Sequence, residues 1–292
     1  MTDTEGNPQD LESALNVDEV GIETGIYGNY RLKTAHQPIF RREGAQLVPF
    51  AVEARVSPFR EGSAVAPAEF FEGTPQSDRA FVEALCRALH LRNHRNVGID
   101  KPERFELYLT IDSRYDDWEA PDSAAHSIAA FAGEAGIPAG MVICEILDAA
   151  TLDAKALAAL SGELRGHGMR VSIAEFRVGQ SAIDRVTQIE PDVIKIDGAW
   201  FRDVQESSET AQLFPAIINA FQGFGAKLLV QGIETPAELE GALNAGADYL
   251  QGMLLSPPVL AGSALDERPQ PIETLLRRGG KVVTIGRNHH KR

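Results

Sequence analysis

Only two cysteines occur among 292 residues, Cys86 and Cys144. Two are too few for a disulfide framework, and Cys144 lies inside an apolar run, so both are expected to be reduced and partly buried. The opening MTDTEGNPQDLE lacks the apolar stretch of a secretory signal. Nowhere does an apolar run approach the roughly 20 residues that a bilayer-spanning helix needs. A cytoplasmic protein without a membrane span is expected. Cations are scarce as well, 28 lysines and arginines against 42 acids, for a formal charge of −14. Duplex binding depends on clustered cations that neutralise phosphates, so no nucleic-acid surface is expected. The seven histidines show no ligand spacing. His90 and His94 are four apart, but Arg87, Arg92 and Arg95 accompany them, and a solvated basic helix face is the expectation. The terminal HHKR reads as a flexible tail. Gly223, Gly225 and Gly232 fit turns around KLLVQ and form no phosphate loop.

What is there is a row of acidic and amide side chains, each at the end of a short apolar run. Glu53 closes LVPFAVE, Glu145 and Asp148 close MVICEILD, and Glu175 closes VSIAE. Lys195 and Asp197 sit in VIKID, Gln231 and Glu234 in KLLVQGIE, and Gln251 ends ADYLQ. Runs this short, with helical spacers between them, predict parallel strands alternating with helices. The spacers place helices near 78–95, 121–134, 151–166, 180–189, 208–223 and 236–245. Such an alternation closes into a (β/α)8 barrel, whose usual size is about 250 residues. Strand ends then converge on one face, so residues far apart in sequence meet in one pocket.

These segments, in this order, resemble the EAL family of cyclic di-GMP phosphodiesterases from about residue 36 to residue 258. HQPIF at 36–40 is similar to the family's opening strand and VEAR at 52–55 to its signature strand, with Arg55 where the family has leucine. PAEFF at 67–71 resembles the helix that follows. LYLTIDSR at 107–114 stands for the strand ending in an asparagine, ICEILD at 143–148 for the strand with two glutamates, and IAEFRVGQS at 173–181 for the DDFG loop. VIKID at 193–197 stands for the strand with the lysine, VQGIET at 230–235 for EGVET, and LQGMLLSPP at 250–258 for the closing QG strand. The resemblance implies an α/β fold, an EAL-type modified TIM (β/α)8 barrel, over residues 29–262. An acidic tail at 1–28, with at most a short helix over DLESALNV, precedes it. An extension at 263–292 with a short helix and a basic end follows.

In that family two divalent cations, held by carboxylates and one asparagine, serve phosphodiester hydrolysis beside a lysine and a further glutamate. Mg²⁺ or Mn²⁺ takes hard oxygen ligands because the paired ions must activate water and stabilise the leaving oxygen. Glu53, Glu145 and Lys195 keep their family identities here. Thr110 stands for the asparagine, Ala174 and Glu175 for the paired aspartates, and Gln231 for the glutamate of EGVET. The resemblance therefore implies residual metal positions at Glu53, Thr110, Glu145 and Glu175 that do not make a two-metal site. It implies family catalytic positions at Lys195, Gln231 and Gln251 without expected catalysis, and no cofactor. Family positions for ligand contact fall at Gln37, Glu53, Arg55, Asp148, Arg177, Glu234 and Gln251. Ser57 stands where the family has an arginine, which removes a bidentate donor. Neighbours on a strand face opposite sides, so Glu175 would need a bulge to replace the side chain missing at Ala174. A plainer expectation for Glu53 and Glu145 is a hydrogen-bonded network with Lys195.

The function so implied is a non-catalytic EAL-like regulatory protein of bacterial cyclic di-GMP signalling, an interaction scaffold with room for weak cyclic di-GMP binding. Two alternatives stay open: a metal-independent cyclic di-GMP receptor, and an active phosphodiesterase that uses Mg²⁺ or Mn²⁺ with Glu175 as the rescuing ligand. No sensory or cyclase module is expected in the remaining length, so input is expected from another protein or from the ligand. A homodimer or hetero-complex is expected through FRVGQSAIDRV, where Ile183 and Val186 extend one apolar helical stripe.

Overall fold

The computed structural model of the chain describes residues 10–112, 114–115, 123–147, 152, 154–176, 182–206 and 208–277. Two short strands, β1 (Leu15–Val17) and β2 (Glu23–Tyr27), lead into a long hairpin of β3 (Tyr30–Glu43) and β4 (Gln46–Arg60). A short strand β5 (Ser63–Ala64) and helices α1 (Pro67–Gly73) and α2 (Arg79–Arg92) follow. Strand and helix then alternate through β6 (Glu106–Asp112), α3 (Ala124–Glu134), β7 (Val142–Leu147), α4 (Ala154–Gly166), β8 (Arg170–Phe176), α5 (Ala182–Ile189) and β9 (Val193–Ile196). Helices α6 (Gly198–Glu206) and α7 (Ser208–Gly223) precede β10 (Lys227–Val230), and α8 (Pro236–Ala245) precedes β11 (Tyr249–Leu250). Strands β12 (Val259–Leu260) and β13 (Gln270–Pro271) and helix α9 (Ile272–Leu276) end the described chain.

Strands β3, β4, β6, β7, β8, β9, β10 and β11 close on one another. From β4 to β11 the pairings are parallel, but β3 runs antiparallel to both of its neighbours, β4 and β11. The barrel is therefore not parallel throughout, as alternation alone predicts. The reason is local. Glu43 pairs with Gln46, so only two residues join β3 to β4, and Gly44 sits at φ 61°. A turn that short joins antiparallel strands, whereas parallel neighbours need a crossover of a dozen or more residues.

The acidic segment expected as a tail instead contributes, in its described part, β1 and β2, which extend the sheet antiparallel beyond β3. Composition hid what anchors it. Ala14 and Tyr27 are buried in a satellite core with Leu32, Phe70, Val82 and Leu85, and Tyr27 Oη donates to Asp78 at 2.7 Å. The main core lies between the barrel and its helices, and includes Val52, Ala54, Leu107, Leu109 and Ile146. Val186 belongs to that core at 0% exposure, so it cannot extend an apolar surface stripe. The side chain of Ile183 lies outside the described residues. Both cysteines are free and fully buried, and burial pushes the Cys144 thiol up to about 12. Among the described residues no helix is long and apolar enough to cross a membrane.

Candidate functional site

A third apolar cluster, Ile39, Phe50, Ala51, Tyr108, Ile143, Val193 and Leu229, plugs the inside of the barrel. Side chains on a strand alternate between faces, so the residue two positions along points the same way. Two steps toward the carboxyl end from Ala51, Tyr108, Ile143, Val193 and Leu229 stand Glu53, Thr110, Glu145, Lys195 and Gln231. On antiparallel β3 the step runs backwards, from Ile39 to Gln37, and Gln37 pairs directly with Glu53. Two positions beyond Tyr249 comes Gln251. An apolar floor and a polar layer above it are thus written in the same period-two pattern.

Within that layer Lys195 Nζ donates to Glu53 Oε2 at 2.6 Å and to Glu145 Oε1 at 2.9 Å. Gln251 Nε2 donates to the same Glu53 oxygen at 2.8 Å. Arg55 Nε lies 3.8 Å from Glu53 Oε1, and its Nη1 donates to Gln37 Oε1 at 2.8 Å. Glu53, Glu145 and Lys195 are all buried. Burial alone would push the Glu53 carboxyl up, but the cations of Lys195 and Arg55, with hydrogen bonds from Lys195 and Gln251, outweigh it and hold it below the usual range. Glu145 goes the other way. Burial raises it, the Glu53 charge adds to the rise, and Lys195 offsets only part. Burial would lower Lys195, yet the two carboxylates hold it above its ordinary value. The network expected of these three residues is what the structure brings together.

A cavity of about 530 Å³ opens above this layer. Thr110, Ala174 and Gln231 line it, so the three residues at which the sequence was expected to depart from the resemblance share one pocket. Its other wall was not legible in the sequence. Arg79, Glu83, Arg87 and His90, on one side of α2, line the cavity, and Arg87 and His90 are only 4% and 6% exposed. The solvated basic face expected of that helix is therefore corrected in part: Arg87 and His90 face the barrel mouth, His94 is buried, Arg92 pairs with Glu12 and Glu23 away from the cavity, and Arg95 stays exposed. Thr34 Oγ1 lies 2.9 Å from His90 Nδ1. Arg114 adds a further cation at the rim, where its Nε and Nη2 donate to the two oxygens of Asp112 at 2.8 and 2.6 Å. The sequence does space Arg79, Glu83 and Arg87 four residues apart, which puts them on one helical face but does not say what that face meets.

Other expected residues fall elsewhere. Glu234 is exposed in the loop before α8 and does not line the cavity; its backbone N–H is held by Glu238 at 2.6 Å. Asp148 and Arg177 lie outside the described residues, as does the side chain of Glu175. The backbone of β8 bears on Glu175 nonetheless. Ile173 pairs with Ile194 but Phe176 with Ile196, so β8 carries one extra residue at the bulge that Glu175 would require.

The family model of the EAL domain matches residues 23–258. Among curated proteins, the chain is 27% identical over 136 residues to the bifunctional diguanylate cyclase/cyclic di-GMP phosphodiesterase MucR of Pseudomonas aeruginosa. That match covers 46% of this chain and 18% of MucR, so the chain spans less than a fifth of that relative's length. Among solved structures, BlrP1 of Klebsiella pneumoniae in its calcium and cyclic di-GMP complex superposes with a TM-score of 0.66 at 24% identity, over 80% of this chain and 57% of that one. The EAL domain of FimX from Pseudomonas aeruginosa, bound to c-di-GMP, superposes with a TM-score of 0.67 at 19% identity, over 80% and 93%. At such identities the likeness is one of fold.

Proposed function

The chain belongs to the EAL domain family, and from that premise we propose that it serves cyclic di-GMP signalling as a regulatory barrel that does not hydrolyse the dinucleotide. The observation that carries this reading is Ala174, whose methyl group lines the cavity at a position where the family places a ligating aspartate. Carbon ligates nothing. The remaining donors fall short in the same direction. Thr110 offers a short hydroxyl, Gln231 a neutral amide, and Glu53 and Glu145 already share the Lys195 ammonium. A pair of Mg²⁺ or Mn²⁺ ions needs a dense shell of hard oxygen ligands, and this donor set does not fit one. The bulge in β8 favours Glu175 as a rescuing ligand, yet one carboxylate leaves Thr110 and Gln231 unchanged, and catalytic groups that act as a unit fail together.

The purified chain, given cyclic di-GMP and either metal, is expected to yield no linear product by chromatography. Turnover in the usual range of about 1 to 1,000 per second, abolished by Glu175→Ala, would overturn this. A second reading, reception of cyclic di-GMP without metal, is favoured by the arginines of the cavity wall. Arg55, Arg79, Arg87 and Arg114 line it, and the Arg79 guanidinium lies 5.0 Å from the centroid of the Phe71 ring, beside which a purine could stack. Lys195 and Arg55 also offset the carboxylates that would otherwise repel a dianionic ligand. Calorimetric titration in the presence of chelator separates the two readings. Saturable heat that weakens at least about tenfold in Arg79→Ala, a loss near 1.4 kcal/mol, supports reception. No heat leaves the interaction scaffold.

A further inference from the structure

Away from the barrel mouth, His126 of α3 and Glu163 of α4 approach His167, the residue that follows α4. We propose that these three side chains form a divalent transition-metal site, with Zn²⁺ its first occupant, clipping α3 to α4. One ligand atom from each lies within 4.8 Å of the other two, and among the described residues this is the only such group of three. The two imidazole rings meet edge to face with centroids 4.6 Å apart, and His126 Nδ1 is 3.7 Å from Glu163 Oε1. An ordinary His–Glu ion pair accounts for the second distance and an edge-to-face ring contact for the first, but neither requires ligand atoms of all three residues to converge.

Two imidazoles and one carboxylate make a borderline donor set that suits Zn²⁺ and its neighbours rather than Mg²⁺ or Ca²⁺. Bond lengths of about 2.0 to 2.2 Å put ligand atoms of a tetrahedral ion roughly 3.4 Å apart. Closing from the present spacing takes up to about 1.4 Å, toward which the 58% exposed His126 side chain is free to rotate. The carboxylate is already oriented. Ser123, buried at the start of α3, donates from Oγ to Glu163 Oε1 at 2.5 Å, the outer hydrogen bond that ligating carboxylates usually carry. Glu163 and His167 are four apart, and the His167 N–H donates to the Glu163 carbonyl at 3.2 Å, so both side chains issue from one face of the same helical turn. Three protein ligands leave a fourth position for water or for a side chain of another protein. None of the three lines the barrel cavity, so the site stands independently of how the mouth is read.

The full chain, stripped with chelator, is titrated with Zn²⁺ in competition with a chromophoric indicator and, separately, with Co²⁺ followed by its visible absorption. One equivalent of Zn²⁺ is expected to outcompete the indicator, and Co²⁺ is expected to give the intense bands of a four- or five-coordinate ion. His126→Ala and His167→Ala should each lower affinity by more than about a hundredfold, and Ser123→Ala by about tenfold. The double change His289→Ala, His290→Ala and the mouth variant Glu53→Gln should leave the tight equivalent in place. Unchanged binding in either imidazole variant would overturn the proposal. So would loss of the tight equivalent in the tail or mouth variant.

Discussion

At the scale of single residues, the Lys195 ammonium holds two buried carboxylates in one low-dielectric layer. Removing one member of a buried ion group leaves the others desolvated and uncompensated, at about 3 to 5 kcal/mol. Lys195→Met, which keeps the volume and removes the charge, is expected to destabilise the barrel by that amount in urea unfolding. A loss under about 1 kcal/mol would mean that Glu53 and Glu145 find other partners or protonate. Three buried imidazoles set a second expectation. Burial, with the neighbouring His94 and His90, pushes His36 down to about 3; burial and Arg87 push His90 to about 3; burial pushes His94 to about 4. Neither ring nitrogen of His36 has a hydrogen-bond partner among the described residues, which fits a neutral ring. These groups are neutral when folded and protonate near 6.5 when unfolded, so their stabilising effect is complete above about pH 6.5 and is lost as pH falls toward 3. Three protons give a slope of up to about 4 kcal/mol per pH unit, enough to unfold a domain of about 5 to 15 kcal/mol between roughly pH 4 and 6. Circular dichroism against pH checks this, and a native spectrum at pH 3.5 would contradict it. Glu53, Glu145, Lys195 and Gln251 were legible because each stands at the end of an apolar run, and Gln37 only through the family resemblance, because on antiparallel β3 it precedes its run. Arg79, Arg87 and His90 were not, because a helix rich in cations looks the same whether its polar face meets water or a barrel mouth.

At the scale of elements, close backbone approach decides which loops present the site. A Cβ on Gly252 would stand 2.0 Å from the Ile233 carbonyl oxygen and 2.3 Å from its nitrogen. The loops after β10 and β11, which carry Gln231 and Gln251, are laced by hydrogen bonds from Ile233 N to Gln251 O and from Leu254 N to Ile233 O, both 3.0 Å. Gly252→Ala is expected to force these loops apart, costing about 1 to 3 kcal/mol or more. Gly223, at the end of α7 with nothing within 4 Å of its Cβ position, is the control. Gly223→Ala should be neutral or stabilise by up to about 1 kcal/mol. Equal effects of the two substitutions in thermal unfolding would discount the packing argument. Helix α8 was readable to the residue. Thr235 and Glu238 form a capping box, Pro236 opens the first turn, and Gly246 closes the helix at φ 85°. Helix α6 was missed because it begins two residues after β9, where VIKID reads as a strand running into a loop.

At the scale of the whole molecule, the hairpin of β3 and β4 is the clasp that turns a row of parallel strands into a closed ring, and β1 and β2 brace it from outside. Deleting residues 1–28 takes away Ala14, Tyr27 and the Tyr27–Asp78 hydrogen bond, and exposes Leu32, Phe70 and Leu85 beneath them. Burying one large apolar side chain contributes about 1.5 to 3 kcal/mol, and 1 kcal/mol shifts the midpoint of a barrel-sized domain by about 2 to 4 °C. The truncated chain is therefore expected to melt several degrees below the full one, by differential scanning calorimetry. Equal midpoints would return the segment to the status of a tail.

The sequence by itself determined the alternation of strands and helices, the apolar floor and the polar layer above it, because each follows from a period of two or 3.6 within a few neighbouring residues. The order of its motifs carried the family resemblance for the same reason, residue types at short range. The tertiary structure alone decided that β3 runs against its neighbours, that β1 and β2 join the sheet, and that α2 turns Arg79, Arg87 and His90 toward the barrel mouth. It alone brought His126, Glu163 and His167 together from two helices. Those outcomes depend on which faces meet across long stretches of chain, and burial is set by that meeting rather than by local propensity.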